Sequence, residues 1–541
     1  VKKLGAALAV VGLAATALSL SSCGGSSGKE GGTLKVSFAS YPESLDPQIS
    51  YTVEGWSALY DTYIPLLTYA HAEGQAGSEV VPGLAEGLPK VSDGGKTYTL
   101  TLRKGLKYSD GTPVRASDFK ATVERMFKLN SGGSVFYTSI VGAEAFAAGK
   151  AKEISGIETE DASGKITIHL TEPRGTFTDE LGLPFVALVP AGTPDKDQSA
   201  NPPPATGPYA ITESDPGHSW SYERNPQWAK NNAALMPDLP SGHVDRIEAS
   251  VTNNQATQVN DVEQGKTNWM FDPVPPDRVA SVRQRYQGDQ YREVPSISVY
   301  FFWMNTTKAP FDDLKVRQAV NYAVDPAALE RIYAGEMQGT QQILPPGMPG
   351  YEEFVLYPHD IAKAKKLIAE ASPSDRNVTV WTDNLSPNDE AGAYYQNVLQ
   401  ELGFTVKLKV INADNYFTVI GNLSTPDLDT GWANWGQDYP HPNDFFEPLL
   451  AGSSIAPTNN GNFAQIDVPS LNKKIDELGR QQLGPQQEEE YAALDREYME
   501  RAPWAPYGNR TLSVFVSSDI DLEKVIWNPT FSGDLTSFQF K

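Results

Sequence analysis

Of 541 residues only one, Cys23, is a cysteine and only six are histidines. A lone thiol cannot close an internal disulfide. The histidines are His71, His169, His218, His243, His359 and His441; no two stand at the spacing of a helical zinc site, and there is no HExxH. The chain also lacks a GxSxG nucleophile elbow, an SxxK pair and a glycine-rich phosphate cradle. Asp427-Leu428-Asp429 resembles a fragment of a calcium loop without its remaining ligands or closing glutamate. His441 stands three residues from Asp438, which ordinary loop polarity explains better than an acid–base pair. These absences point away from catalysis and from any resident metal or cofactor. Carboxylate pairs that converge only in the fold are left open.

Basic residues are scarce as well: 44 Lys and Arg against 67 Asp and Glu leave a formal net charge of −23. That excludes a nucleic-acid partner, which demands basic patches, and adsorption onto anionic lipid. Long apolar runs are absent too, with one exception. Lys2 and Lys3 precede an almost wholly apolar stretch, Leu4 to Leu20, the pattern of an export signal and short for a membrane span. It ends in Leu20-Ser21-Ser22-Cys23-Gly24, which resembles the bacterial lipoprotein cleavage box. The one cysteine thus stands where a lipid is attached, and acyl chains contribute roughly 0.8 kcal/mol per buried CH₂. Residues 1–22 are expected to be signal peptide and 23–32 the lipidated Cys23 with a flexible glycine-rich tether. The expected location is extracytoplasmic, on the outer face of the bacterial cytoplasmic membrane.

What remains is long enough for two or three domains. Thr33 to Ala39, Lys96 to Leu102 and Lys165 to Leu170 alternate polar and apolar residues as half-buried strands do. Ser117 to Leu129 places Phe119, Val123, Met126 and Phe127 on one helical face. Ile297 to Asn305 has the length of a buried strand, and Val316 to Val324 carries a helical stripe of Val316, Ala319, Val320 and Ala323. Asp360 is placed to cap a helix, Tyr394 to Leu402 is a helix closed by Gly403, and Thr405 to Val410 is a strand. Helices at Leu471 to Leu478 and Glu489 to Arg501 precede a strand at Leu512 to Val516. Helix–strand alternation predicts an α/β class.

One stretch carries chemistry. Trp432 to Phe446, WANWGQDYPHPNDFF, surrounds Asp438 with aromatic rings. A carboxylate in such company needs a partner, because burying an unpaired charge is costly. Either an internal arginine or an incoming cation can supply it.

Five blocks then resemble, in order, the family 5 extracellular solute-binding proteins, the binding components of oligopeptide and dipeptide ABC importers. They are Ser44-Leu45-Asp46-Pro47; Leu106 to Phe119, with Ser109-Asp110-Gly111-Thr112-Pro113; Thr206-Gly207-Pro208-Tyr209; Phe311 to Asp325; and Trp435-Gly436-Gln437-Asp438-Tyr439. Most have bland readings: a turn before a helix, a hinge at Thr206 to Tyr209, and a capping or ion-pairing Arg317. The last differs. The resemblance implies that Asp438 pairs with a ligand α-ammonium while backbone near Asn434 and Gly436 lies along an extended peptide, sheltered by Trp435 and Tyr439. It further implies weaker contacts from Tyr51, Val53, Tyr416, Phe271 and Asp272. Trp432 aligns near a position that is basic in some relatives and offers a surface for stacking.

The resemblance also implies a type II periplasmic-binding-protein fold, with two main lobes around a ligand cleft and a smaller inserted domain. Domain I is expected at 33–75, 205–292 and 515–541, domain II at 76–204, and domain III at 293–514. The implied function is capture of a peptide by hinge closure and delivery to ABC permease subunits, as a monomer and without a cofactor. An oligosaccharide, opine or metal chelate is the alternative solute, and a sensory lipoprotein without a permease is a third reading.

Overall fold

The computed structural model describes residues 28–541; the expected signal peptide and the lipid site at Cys23 lie outside the described residues. Among the described residues no helix is long and apolar enough to cross a membrane. The last residues of the expected tether are tied down rather than free. The Lys29 N–H donates to Phe540 O at 2.7 Å and the Gly31 N–H to His243 O at 2.8 Å, so regular pairing begins before Thr33.

A twelve-stranded sheet runs through the molecule. Its main path orders the strands as Thr405–Ile411, Asn377–Asp383, Thr430–Gly436, Ser298–Met304, Trp504–Val516, Trp269–Met270, Thr33–Phe38, Arg246–Val251, Ser219–Arg224 and Tyr209–Asp215. Trp504–Val516 is the strand its two halves share. The first part pairs with Ser298–Met304, Trp504 opposite Trp303, and the second with Tyr291–Pro295, Phe515 opposite Tyr291. The expected boundaries at 292/293 and 514/515 fall inside these paired strands. The early half of Trp504–Val516 was not expected, because Pro506 and Gly508 argue for a loop. The register shifts beside Gly508, where an added Cβ would lie 2.0 Å from Met337 Sδ; glycine is what lets the strand Met337–Gln338 cross so closely.

Elsewhere periodicity read the elements closely. The helix Leu314–Ala323 buries Val316, Ala319, Val320 and Ala323, and the Asp360 carboxylate caps Ile361–Ala371 by accepting from the Lys363 N–H at 2.9 Å. The smaller sheet Lys90–Ser92, Thr97–Thr101, Lys165–His169 and Ile157–Glu160 lies wholly within residues 76–204. The helix Ala116–Lys128 packs in the same core through Phe119, Val123 and Met126, each fully buried and each contributing about 1.5–3 kcal/mol.

The recurring blocks mostly hold this frame together. Asp46 and Arg125, 0% and 3% exposed, form a two-pronged ion pair, with both Asp46 oxygens also accepting backbone N–H groups of Gln48 and Gln198. In the Ser109 to Pro113 turn, Gly111 has φ 89° and the Thr112 N–H donates to Asp110 Oδ1 at 2.8 Å. Gly207 presses on the Asp61 carbonyl, which an added Cβ would meet at 2.4 Å. Arg317 is a capping residue: it donates to the carbonyls of Phe311 and Arg501.

Candidate functional site

The strand Thr430–Gly436 is locked along one edge to Ser298–Met304, with Gly436 opposite Ser298 and Asn434 opposite Tyr300. Its other edge pairs with Asn377–Asp383 only at Thr430 and Gly431. Among the described residues no strand covers that edge from Trp432 to Gly436. Gly436 adds a second opening: a Cβ built there meets nothing within 4 Å, and its φ does not require glycine. Neither packing nor backbone strain in this chain therefore explains the missing side chain.

After Gly436 the chain turns inward, the Gln437 N–H donating to Ile297 O at 3.0 Å, and this delivers Asp438 into the seam between lobes. Asp438 is 7% exposed. Its Oδ2 accepts from the Tyr51 hydroxyl at 2.7 Å, a partner 387 positions away. Its own N–H donates to Asp444 Oδ2 at 2.8 Å. Asp444 is fully buried, and its other oxygen makes no hydrogen bond of ordinary geometry, with the Trp435 indole close enough to favour the charged form. No Lys or Arg among the described residues forms an ion pair with either carboxylate, so the internal-arginine alternative for Asp438 is not realised. Burial pushes Asp438 up from 3.8 to about 7, which the Tyr51 hydrogen bond opposes. Burial and the neighbouring Asp438 charge push Asp444 well above the carboxylate range. His441 does not relieve them: burial and the Arg174 charge lower it to about 3, so it stays neutral. Two desolvated carboxylates thus face each other without a cation.

Aromatic rings enclose them. Tyr51 stacks on Trp56 at 5.7 Å and meets Phe185 and Trp435 edge-on at 4.9 and 6.1 Å, while Phe136 meets Tyr439 at 6.0 Å. Gly133 seats Phe185, whose ring an added Cβ would strike at 2.3 Å. Such an enclosure strengthens any charge pairing inside it, and ring faces attract ammonium groups.

The remaining expected residues divide. Tyr51 is at the site; Val53, 49% exposed, begins the helix Val53–Leu59. Tyr416 and Trp432 are internal to their lobe: the Tyr416 hydroxyl bonds the carbonyls of Trp381 and Trp432 at 3.0 and 2.6 Å, and Trp432 Nε1 donates to the Tyr507 hydroxyl at 2.9 Å. Trp432 is 2% exposed, so the stacking surface expected of it is buried, because a strand residue pointing into the lobe meets Tyr300, Tyr416 and Phe417. Phe271 stacks on Phe38 at 4.6 Å as a core residue rather than a cleft wall. Asp272 accepts from the Ala39 N–H at 2.5 Å, and burial raises it to about 6. Asp444, Phe136 and Phe185 were not expected. Asp444 lies in the same stretch but reads as ordinary loop polarity, and the two phenylalanines come from segments distant in the chain whose approach no local pattern encodes.

The lobes meet around this site. Arg174 joins Glu180 and Glu447, the Gly175 N–H donates to Gly479 O at 2.8 Å, and Gln437 Nε2 reaches Thr530 Oγ1 at 3.2 Å. Two lobes meeting over a sequestered pair of carboxyl groups without a cation, with a smaller domain on one of them, define a solute receptor of the type II periplasmic-binding fold. The chain belongs to the bacterial extracellular solute-binding proteins, family 5, whose model matches residues 79–457. Members of this class bind and transport solutes rather than transform them.

Two curated relatives illustrate the range. A probable D,D-dipeptide-binding periplasmic protein of Escherichia coli K12 is 25% identical, over 83% of this chain and 82% of its own. Heme-binding protein A of Haemophilus influenzae is 28% identical over 79% of each. Among solved structures, the Helicobacter pylori periplasmic binding protein DppA in complex with peptide STSA superposes with a TM-score of 0.80, at 20% identity over 95% of this chain and 99% of its own. The murein tripeptide binding protein MppA in its unliganded open form gives 0.65, at 22% identity and the same coverage.

Proposed function

We propose that this chain is an extracytoplasmic receptor that captures a peptide between its lobes and hands it to an ABC permease, tethered to the membrane through a lipid on Cys23. The observation that carries the ligand reading is Asp438, a buried carboxylate beside a second one, with a tyrosine hydroxyl and no cation. An arriving α-ammonium supplies the missing charge, and a charged hydrogen bond of this kind contributes about 1.5–3 kcal/mol. The edge from Ala433 to Gly436, beyond the Trp432 carbonyl that Tyr416 occupies, supports main-chain pairing with an extended peptide, in the manner of strand addition. The open space at Gly436 leaves room for that backbone. Family membership, and relatives whose names state dipeptide binding, support the same class of solute.

The two crossings between lobes, at Ser296 to Ser298 and Gly508 to Arg510, are short extended segments suited to hinge motion. On this reading the lobe division lies there, with residues 76–204 as an insertion. No step of the function requires bond making, so the chain acts without catalysis.

Native mass spectrometry of protein purified without refolding tests this. A set of bound peptide masses in the wild type, lost in Asp438→Asn, is the expected result. A single bound sugar, heme or chelate mass that persists in Asp438→Asn overturns it.

A further inference from the structure

Away from the cleft, the fold gathers three side chains that no sequence motif links. Asp61 follows the helix Val53–Leu59, His71 follows the strand Leu67–Tyr69, and Asp534 comes from the C-terminal segment. Asp61 Oδ1, His71 Nδ1 and Asp534 Oδ2 lie within 4.8 Å of one another. The imidazole nitrogen is 2.7 Å from Asp534 and 3.8 Å from Asp61. The two carboxylates are 1% and 0% exposed and the imidazole 12%.

We propose that Asp61, His71 and Asp534 form a binding site for one divalent transition-metal ion of the zinc type. Three features carry this. Asp61 Oδ1 is buried, directed into the cluster and has no hydrogen-bond partner. The other oxygen of each carboxylate is already held: Asp61 Oδ2 accepts from the Leu535 N–H at 2.9 Å, and Asp534 Oδ1 from the Thr536 N–H at 2.9 Å and the Thr536 hydroxyl. Each aspartate therefore presents one oxygen and is oriented through the other, the arrangement that outer-shell bonds give to metal ligands. Finally, no Lys or Arg among the described residues pairs with either carboxylate; their counter-group is His71, hydrogen-bonded to Asp534 at 2.7 Å, and a divalent ion would take the place of the proton that this contact shares.

One imidazole nitrogen and two carboxylate oxygens suit zinc, whose ligand distances are about 2.0–2.2 Å, better than they suit oxygen-seeking magnesium or calcium. The imidazole is the one member of the cluster with any exposure, 12% against 1% and 0% for the carboxylates. The ring is fixed from one side by Tyr60, stacked on it at 4.5 Å. A metal here would clasp the C-terminal segment to the amino-terminal lobe. That segment also carries Thr530, the partner of Gln437 beside the peptide site. The proposal does not depend on the identity of the solute.

The test uses the full chain, stripped with chelator and titrated with Co²⁺ as a visible probe and then with Zn²⁺. The expected result is one equivalent of Co²⁺ giving absorption bands that Zn²⁺ abolishes, with a rise in the thermal midpoint on adding Zn²⁺. His71→Ala and Asp61→Asn should weaken binding roughly 100-fold or more, while His243→Ala, at the exposed pair with Glu30, changes nothing. Asp61→Asn keeps an oxygen for the Leu535 N–H, so it carries the test should His71→Ala fail to fold. Absence of one-equivalent binding by the wild type overturns the proposal, as does binding that survives Asp61→Asn.

Discussion

Asp46 and Asp438 stand in two of the recurring sequence blocks, and both are buried, yet their surroundings are opposite. Asp46 meets the fork of Arg125 and two backbone N–H groups, so its charge is fully answered inside the chain. Asp438 meets one tyrosine hydroxyl and, through its own N–H, a second buried carboxyl group, Asp444. The first arrangement builds a scaffold; the second leaves a charge for something else to satisfy. Burial alone does not mark a binding residue. Burial without a counter-charge points to one only at the seam between lobes, since Asp118 and Asp495 are buried without a cation and are answered by backbone N–H groups.

The comparison can be broken in order of size. Arg125→Ala leaves Asp46 buried and unpaired, and should cost about 3–5 kcal/mol in denaturant unfolding. Asp438→Asn should do the reverse: unfolding free energy equal to or above wild type, and peptide affinity by calorimetry down about 10- to 150-fold. An equal loss of stability in the two variants would erase the distinction drawn here.

A pH series comes next. The folded, unligated chain holds a proton on Asp438 up to about 7, whereas the unfolded chain releases it near 3.8. More protons are bound folded than unfolded in that window, so this residue's contribution to unligated stability falls as pH rises through it. Ligand affinity moves the other way, because an ammonium needs the carboxylate. It should drop about tenfold from pH 8 to pH 6 and level off above 7. Asp438→Asn should flatten the affinity profile and remove only its own share of the stability slope, because burial also raises Glu43, Glu54, Asp179 and Asp495 to about 7.

Gly436→Ala should leave unfolding unchanged, since its Cβ meets nothing within 4 Å, but weaken peptide binding by about 1 kcal/mol if a ligand backbone occupies that space. Unchanged affinity would place the ligand elsewhere along the strand. Tyr51→Phe is the mildest: removing the hydroxyl should cost about 0.5–1.5 kcal/mol in affinity. It should also move the midpoint of the pH profile upward, because that hydrogen bond favours the carboxylate.

Much of this could be read from local pattern. Alternation located Thr33–Phe38 and Thr97–Thr101, and a helical stripe located Leu314–Ala323, because one-sided burial imposes a period on the residues themselves. Asp438 stood out for a similar local reason, as a carboxylate among rings. Trp432 was less legible, because an aromatic on a strand reads the same whether it faces a ligand or packs, and its indole N–H and carbonyl bond Tyr507 and Tyr416. The start of Trp504–Val516 was hidden by Pro506 and Gly508, which are tolerated where a neighbouring strand crosses at close range.

The sequence by itself therefore determined the α/β class, the elements with strong periodicity, and the presence of a carboxylate in apolar company. Only the tertiary structure decided that Asp438 finds Tyr51 and Asp444 rather than an arginine, and that His71 meets an aspartate 463 positions away. The reason is physical. Periodicity is written along the chain, whereas the balance of charge at a buried point is set by whichever segments the fold brings to it.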